Sequence, residues 1–126
     1  MKISFDFDGC LGDNTSVQSL AKILVDSVCD VWILTSRNNT QRDIEQIYEI
    51  SQHVGIPEHK IIFCPDSSKL EAIKEHSIKM HFDDDHVEVD IINEYFYEHH
   101  KVKPAVLVGF ENRFMYHWFN KTLDQY

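Results

Sequence analysis

Two aspartates, Asp6 and Asp8, lie two residues apart near the start of the chain, within the stretch SFDFDGC. The other residues of this stretch are uncharged, and a strand that only had to pack would not end in two acids. Carboxylates in such a position can attack an electrophile, transfer a proton or bind a cation. The alternative interpretation is a strand end in solvent, where aspartates form a turn.

Other polar groups follow later segments of the chain in a similar way. Thr35 and Ser36 end the apolar run VWILTS, the aspartates at 83–85 follow the run IKMHF, and Lys69 opens a predicted helix. In open parallel sheets, ligands bind beyond the carboxyl ends of the strands. We therefore expect these groups to converge with the two N-terminal aspartates at one edge of a sheet.

Carboxylates that converge need a compensating charge. Two like unit charges about 4 Å apart repel by about 4 kcal/mol at an effective dielectric constant of about 20. A divalent cation removes this repulsion, and all-oxygen ligands suit Mg²⁺, which also binds substrate phosphate. A hydroxyl and a lysine can hold the remaining phosphate oxygens. One aspartate can then attack phosphorus to form an aspartyl-phosphate, while another protonates the leaving group.

The elements that would position these groups alternate between strands and helices. Strands are predicted at residues 2–7, 31–36, 60–64, 78–82 and 105–110. Apolar residues at helical spacing lie between them, and Thr40 with Asp43 and Ser68 with Glu71 resemble capping boxes at helix starts. This alternation predicts one three-layer α/β domain, Rossmann-like, over residues 1–126, with a mainly parallel five-stranded sheet and right-handed crossovers.

Composition and charge argue against several classes of function. The formal net charge of −9 disfavours nucleic-acid binding, because phosphate contacts need clustered lysine and arginine. The early aspartates interrupt the first apolar run, so no signal peptide is expected, and no apolar stretch approaches the ~20 residues that span a bilayer. Cys10, Cys29 and Cys64 form no CxxC or Cys/His cluster, which favours a reducing, cytoplasmic setting.

Taken in order, the segments DFDGC, ILTS, Lys69 and FDDD resemble the motifs of the haloacid dehalogenase (HAD) superfamily of aspartate-nucleophile phosphohydrolases. The resemblance spans roughly residues 2–90. It implies a HAD-like sheet with strand order 5-4-1-2-3 and Mg²⁺-dependent hydrolysis of phosphomonoesters through an aspartyl-phosphate. The short connections imply a member without a cap domain. Its substrate would be a small phosphorylated metabolite or nucleotide, and analogy favours a nucleotidase-like role.

The resemblance also implies a role for each residue on the first two segments. Asp6 would be the nucleophile and a metal ligand. Asp8 would be the general acid and base, with its backbone carbonyl on the metal. Thr35 would bind the phosphoryl group, with Ser36 as a helper. Cys10 departs from the family pattern, which usually has threonine there, and this departure predicts lowered rather than lost activity.

The later segments complete the implied site. Lys69 would balance the charge on the nucleophile and on the phosphate. Asp83 and Asp84 would form the acidic pair that binds Mg²⁺, with Asp84 the favoured direct ligand and Asp85 the alternative in register. Without the resemblance, Lys69 can be an exposed lysine and the acids can cap a helix, because negative charge suits a helix start.

Two alternative functions stay open. One is a non-catalytic binding or regulatory module that keeps the HAD-like fold, which the cysteine at position 10 favours. The other is a nucleic-acid end phosphatase, which the negative charge disfavours.

A histidine metal site is not expected, since His81, His86, His99 and His100 lack ligand spacing. The aromatic tail FENRFMYHWF suggests core, edge cover or an interface for a homo-oligomer.

Overall fold

The computed structural model describes residues 1–108. Five strands form one sheet in the order β3-β2-β1-β4-β5, and all four strand pairings are parallel. The strands are β1 (Lys2–Phe5), β2 (Asp30–Thr35), β3 (Ile61–Phe63), β4 (Met80–Asp83) and β5 (Ala105–Leu107). This arrangement confirms the predicted α/β class, the parallel sheet and the strand order, which is the same when read from the opposite edge.

Within residues 1–108, four α-helices cover the two faces of the sheet. They are α1 (Thr15–Asp26), α2 (Gln41–Val54), α3 (Lys69–Glu75) and α4 (His86–His100). Each helix follows a strand, as a parallel sheet requires for its crossovers. Among the described residues, no helix combines the length and the apolar character that a membrane span would need. The predicted end of the fifth strand at 109–110, the aromatic tail and its suggested role as an interface lie outside the described residues.

The two faces of the sheet carry separate apolar cores, because side chains alternate along each strand. On one face, Ile3 and Phe5 of β1 pack with buried residues of α1 and α2, and the Phe5 ring stacks on Phe82 with centroids 4.8 Å apart. On the other face, Leu34 packs with buried residues of α3 and α4, including Ile73. The central strands are buried on both sides, which explains their nearly continuous apolar sequences.

The register between β1 and β4 decides which polar groups become neighbours. Ser4 pairs with His81, and Phe5 pairs with Phe82. The next residues along the two strands are Asp6 and Asp83, which therefore leave the sheet side by side. Because β1 ends at Phe5 and not at residue 7 as predicted, Asp6 is the first residue beyond the strand.

Side chains cap the helices at their starts, as the sequence partly predicts. Thr40 Oγ1 accepts a hydrogen bond from the amide of Asp43 at 3.5 Å, so Thr40 caps α2 as predicted. The Asp43 carboxylate accepts from the Thr40 hydroxyl at 3.0 Å, whereas in a capping box it would accept from the Thr40 amide. The second cap also differs from the prediction. Ser68 Oγ accepts from the amide of Leu70 at 3.1 Å, where the predicted capping box would have it accept from the amide of Glu71. The amide of Lys69 donates to Glu88 of α4.

The edge strand β5 is tied to α4 by one side chain. Asn93 Nδ2 donates to the carbonyl oxygen of Ala105 at 3.0 Å, and Asn93 Oδ1 accepts from the amide of Ala105 at 2.8 Å. One amide side chain thus satisfies both backbone groups of a buried strand residue.

We expect Asn93→Ala to lower the free energy of unfolding by about 1–2 kcal/mol, because both backbone groups of Ala105 lose their partner. The matched control is Asn39→Ala, which changes an exposed asparagine in the loop before α2 and should stay within about 0.5 kcal/mol of wild type. Urea unfolding followed by circular dichroism measures both. Equal stabilities of the two variants would contradict the proposed tie.

Candidate functional site

A cavity of about 380 Å³ opens at the carboxyl ends of β1 and β4. It brings together every predicted site residue except Thr35. Its lining consists of Asp6, Asp8, Gly9, Ser36, Lys69, Asp83, Asp84, Asp85 and His86. A larger groove of about 670 Å³ lies at the opposite end of the sheet, but its lining contains no carboxylate. The chemistry that the sequence predicts is therefore concentrated in the smaller cavity.

At the floor of the cavity, a buried lysine lies between two buried aspartates. Lys69 Nζ donates to Asp6 Oδ1 at 2.5 Å and to Asp83 Oδ2 at 2.8 Å. All three side chains are at least nine-tenths buried. Lys69 is therefore not an exposed lysine that happens to open a helix. The two carboxylates outweigh the unfavourable interaction of a cation with the positive end of α3.

One ammonium group does not balance two buried carboxylates, and the pKa values of the three groups reflect this. Burial raises the pKa of Asp6 to about 8, while Lys69 opposes the rise and Asp83 adds to it. Burial acts in the same direction on Asp83, but the hydrogen bond from His81 and the charge of Lys69 outweigh it and lower the pKa of Asp83 to about 2. Burial would lower the pKa of Lys69, yet its two carboxylate partners raise it.

A third carboxylate makes the negative charge larger still. One oxygen each from Asp6, Asp83 and Asp84 lies within 4.8 Å of the others, with Asp6 and Asp83 buried and Asp84 partly exposed. Oxygen atoms at this spacing can hold one hard divalent cation, which would offset the surplus of negative charge. Both members of the predicted acidic pair thus have an oxygen in place to bind a cation.

Gly9 leaves the space that Asp84 occupies. Its φ angle is +69°, a conformation that L side chains rarely adopt. A Cβ atom built on Gly9 would lie 2.0 Å from Asp84 Oδ2 and 2.6 Å from its carboxyl carbon. Two constraints therefore explain why position 9 is a glycine: the backbone makes a left-handed turn there, and a carboxylate approaches closely.

Asp8 is held differently from Asp6. Its side chain is about half exposed, and Arg37 binds it with two nitrogen atoms, Nη2 at 2.6 Å from Oδ1 and Nε at 2.9 Å from Oδ2. The guanidinium also donates to Gln46 and lies 4.9 Å from the centre of the Phe7 ring. Sequence reasoning missed Arg37, although it stands directly after the two hydroxyl residues of the second motif.

The two hydroxyl residues occupy different places. Thr35 is completely buried, and its Oγ1 accepts a hydrogen bond from the amide of Arg37 at 3.1 Å. Ser36 is exposed and lines the cavity. Thr35 thus fixes the backbone of the loop that carries Arg37, whereas Ser36 is the hydroxyl that the cavity presents to a ligand.

The aspartate run also contains the helix cap that the alternative interpretation requires. Asp85 Oδ1 accepts from the amide of Val87 at 3.0 Å and so caps α4, while Asp85 also borders the cavity. One turn further on, Glu88 accepts hydrogen bonds from the hydroxyl of Ser68 and the amide of Lys69. Sequence reasoning missed Glu88, which fixes the start of α3 and with it the position of the lysine.

A hydrogen-bonded pair behind Asp83 was also missed. His81 Nε2 lies 2.8 Å from Asp83 Oδ2, and His81 Nδ1 lies 2.7 Å from Ser4 Oγ. Both side chains are completely buried, and burial lowers the pKa of His81. The available signal was a polar residue between two apolar ones within each strand: Ser4 lies between Ile3 and Phe5, and His81 lies between Met80 and Phe82.

Cys10 lies in the core and not in the cavity lining. Its side chain is completely buried, its sulfur is 3.7 Å from the carbonyl oxygen of Phe82, and burial raises the pKa of the thiol. A thiol in this state is a poor nucleophile, because the thiolate is the reactive form. The sequence interpretation placed Cys10 in the site; the structure places it behind the loop that forms the site.

Comparisons with known protein families, with curated proteins and with solved structures find no match to this chain. The class of protein is therefore defined by its own fold and cavity. It is a Rossmann-like α/β domain with a carboxylate-lined cavity at the carboxyl ends of its strands. Membership of the HAD superfamily stays a prediction.

We expect Gly9→Ala to weaken the binding of Mg²⁺ or Mn²⁺ at least about tenfold, because the new methyl group would displace the Asp84 carboxylate. Gly55→Ala is the matched control. Gly55 also has a positive φ angle, +91°, but its Cβ would meet only Val25, at 3.3 Å and far from the cavity. Isothermal titration calorimetry measures both affinities. Equal affinities would show that Asp84 does not need the space at Gly9.

The raised pKa of Asp6 predicts that the metal-free protein loses stability as the pH rises. The folded state holds a proton on Asp6 up to about pH 8, whereas an unfolded aspartate releases it near pH 4. This stabilisation is complete below about pH 4 and is lost through pH 8, with a limiting slope of about 1.4 kcal/mol per pH unit. Urea unfolding in a chelator between pH 5 and 8 should therefore show that the stability of wild type relative to Asp6→Asn declines as the pH rises. The buried His81, whose pKa is lowered, contributes in the opposite direction in both proteins and cancels in this comparison. Parallel curves for the two proteins would contradict the assignment.

Proposed function

We propose that this protein is a Mg²⁺-dependent phosphomonoester hydrolase that acts through an aspartyl-phosphate. The observation that carries the proposal is the buried Asp6 carboxylate, held by Lys69 beside Asp83 and Asp84 at the floor of a cavity that Asp8 also lines. A nucleophile, a cation site and a proton donor thus share one small space. The resemblance of the motifs to the HAD superfamily supports the same reaction.

The donor set fits Mg²⁺ on two observations. The oxygens of Asp6, Asp83 and Asp84 lie within 4.8 Å of one another, and Gly9 leaves room for the third of them where any side chain would collide. These residues would hold the ion, and the backbone carbonyl of Asp8 is a further predicted ligand. When bound, Mg²⁺ supplies positive charge that offsets the carboxylates and the phosphate oxygens of a substrate.

Asp6 would form the covalent bond. Because Lys69 binds Oδ1, we assign the attack on phosphorus to Oδ2. The new O–P bond forms as the ester P–O bond breaks, and the electron pair of that bond leaves with the alcohol oxygen, which takes a proton from Asp8. Water then gives a proton to Asp8 and attacks phosphorus, the Asp6–phosphorus bond breaks, and inorganic phosphate leaves.

Three residues would hold the phosphoryl group or the groups that react with it. Lys69 would keep the nucleophile oriented and balance charge on the phosphate. Ser36 would donate its hydroxyl to a phosphate oxygen, a role that the exposed position in the cavity favours over a direct contact from Thr35. Thr35 would act by fixing the loop backbone through its bond to the Arg37 amide.

The substrate would be a small phosphorylated metabolite or a nucleotide. A cavity of about 380 Å³ suits a ligand at the small end of the usual range. The net charge of −9 disfavours the long phosphate backbone of a nucleic acid, whereas one phosphate can be compensated by Mg²⁺ and Lys69. The free thiols of all three cysteines support the proposal of a cytoplasmic setting.

The decisive experiment compares wild type with Asp6→Asn in the hydrolysis of an aryl phosphate and of a panel of nucleotides and sugar phosphates. We expect Mg²⁺-dependent turnover in wild type and a loss of about a thousandfold or more in Asp6→Asn, because the covalent route is closed. Asp26→Asn makes the same charge change on an exposed residue at the end of α1 and should keep full activity.

Each alternative function has its own outcome in this experiment. Equal rates in wild type and Asp6→Asn would remove Asp6 from the role of nucleophile. Tight binding of a panel compound without turnover would favour the non-catalytic binding module. Faster hydrolysis of a terminally phosphorylated oligonucleotide than of any mononucleotide would favour the nucleic-acid end phosphatase. Beryllium fluoride, which mimics an aspartyl-phosphate, should bind wild type and not Asp6→Asn.

A further inference from the structure

The hydrogen bonds of the site continue into the core of the protein. From Asp6 they pass to Lys69, then to Asp83, then to His81 and finally to Ser4, with donor–acceptor distances between 2.5 and 2.8 Å. All five residues are buried. His81 and Ser4, at the inner end of this series of hydrogen bonds, have no part in the reaction steps proposed above.

The two residues lie on the sheet face that packs against α3 and α4, where the buried side chains are mostly apolar. They pair in register on β1 and β4, beside buried residues of α3 and α4 such as Ile73 and Ile92. A histidine and a serine in such a core cost free energy unless their polar atoms are satisfied, and an apolar pair of similar shape would avoid that cost. Packing alone therefore does not explain them.

The partners of the His81 ring determine where its proton lies. The ionised Asp83 carboxylate can only accept a hydrogen bond, so His81 Nε2 must carry a proton and donate it. A neutral ring then has an unprotonated Nδ1, which accepts from the hydroxyl of Ser4. The Asp83 carboxylate thus requires a proton on Nε2, and the Ser4 hydroxyl, which can donate or accept, holds the other edge of the ring in place.

This donor fixes the orientation of the Asp83 carboxylate. Asp83 Oδ2 accepts from both His81 and Lys69, and Asp83 Oδ1 accepts from the amide of Asp85 at 3.0 Å. A carboxylate has about four acceptor positions, so one position remains, on Oδ1. Asp83 therefore keeps one acceptor position free, and one of its oxygens lies within 4.8 Å of oxygens of Asp6 and Asp84.

We propose that His81, oriented by Ser4, is a positioning residue that holds Asp83 in the orientation required to bind Mg²⁺ together with Asp6 and Asp84. The inference rests on the proposed function insofar as it takes Mg²⁺ as the ion of the site. His81 does not contact the ion or the substrate in this assignment. It acts through Asp83. Because Lys69 binds the same Asp83 oxygen as His81, the orientation of this carboxylate also sets the position of Lys69 between Asp6 and Asp83.

The test compares two substitutions at position 81 by Mg²⁺ titration calorimetry on the full chain. His81→Gln keeps an amide N–H near the place of Nε2, whereas His81→Leu keeps the volume and removes the donor. We expect the Leu variant to bind Mg²⁺ about ten- to a hundredfold more weakly than wild type, and the Gln variant to stay within about threefold of wild type. A merely structural role would not separate the two variants in this way.

Two further measurements keep the test independent of folding and of catalysis. In wild type, a long-range ¹H–¹⁵N spectrum of the His81 ring should show Nε2 protonated, and Ser4→Ala, which removes the partner of Nδ1, should shift the ring signals. The double variant Ser4→Ala/His81→Leu removes both polar partners together, should unfold cooperatively near the wild-type temperature and should still bind Mg²⁺ weakly.

Two results would overturn the inference: wild-type Mg²⁺ affinity in His81→Leu, or a His81 ring that carries no proton on Nε2. The failure of the proposed function has a different signature, namely a wild type that binds Mg²⁺ and hydrolyses no phosphate ester, which leaves the comparison at position 81 valid. A wild type that binds no Mg²⁺ overturns both.

Discussion

The contact between Lys69 and two carboxylates, Asp6 and Asp83, is the interaction on which the rest of the site depends. Two buried acids and one buried base carry a net negative charge, and a folded protein tolerates such a charge only with a proton or a cation as compensation. The raised pKa of Asp6 is the response of the metal-free chain to this surplus. The same surplus would favour a cation beside the three neighbouring carboxylate oxygens, so charge balance links the fold to the proposed chemistry.

The order of the elements and the location of the site could be predicted from the sequence, because both depend on local patterns. Apolar runs that end in polar residues gave five parallel strands, and strand ends meet at one edge of a parallel sheet. Asp6, Lys69 and Asp83 converge for this reason. Strand ends were less predictable, since β1 stops at Phe5 although its apolar and polar alternation continues to Phe7.

What the sequence could not predict depends on contacts between distant residues. Arg37 binds Asp8 across 29 positions of the chain, and His81 meets Ser4 across 77, and no periodicity records such a contact. The location of Cys10 has a similar cause. Its thiol lies in the core beyond a backbone kink at Gly9; the sequence marks a turn at this glycine but not the direction in which the next side chain points. Local patterns therefore predict which strand end a residue occupies, but not the direction of its side chain.

The register between β1 and β4 has a consequence for how the chain can change. Side chains alternate between the two faces, so deleting one residue within either strand would move a whole row of side chains to the opposite face. The row that holds Ser4, Asp6, His81 and Asp83 would then exchange places with the phenylalanines of the other face. The connections between strands can gain or lose residues at small entropic cost. Insertions and deletions should therefore accumulate in the loops, while the strands that carry the site admit substitutions alone.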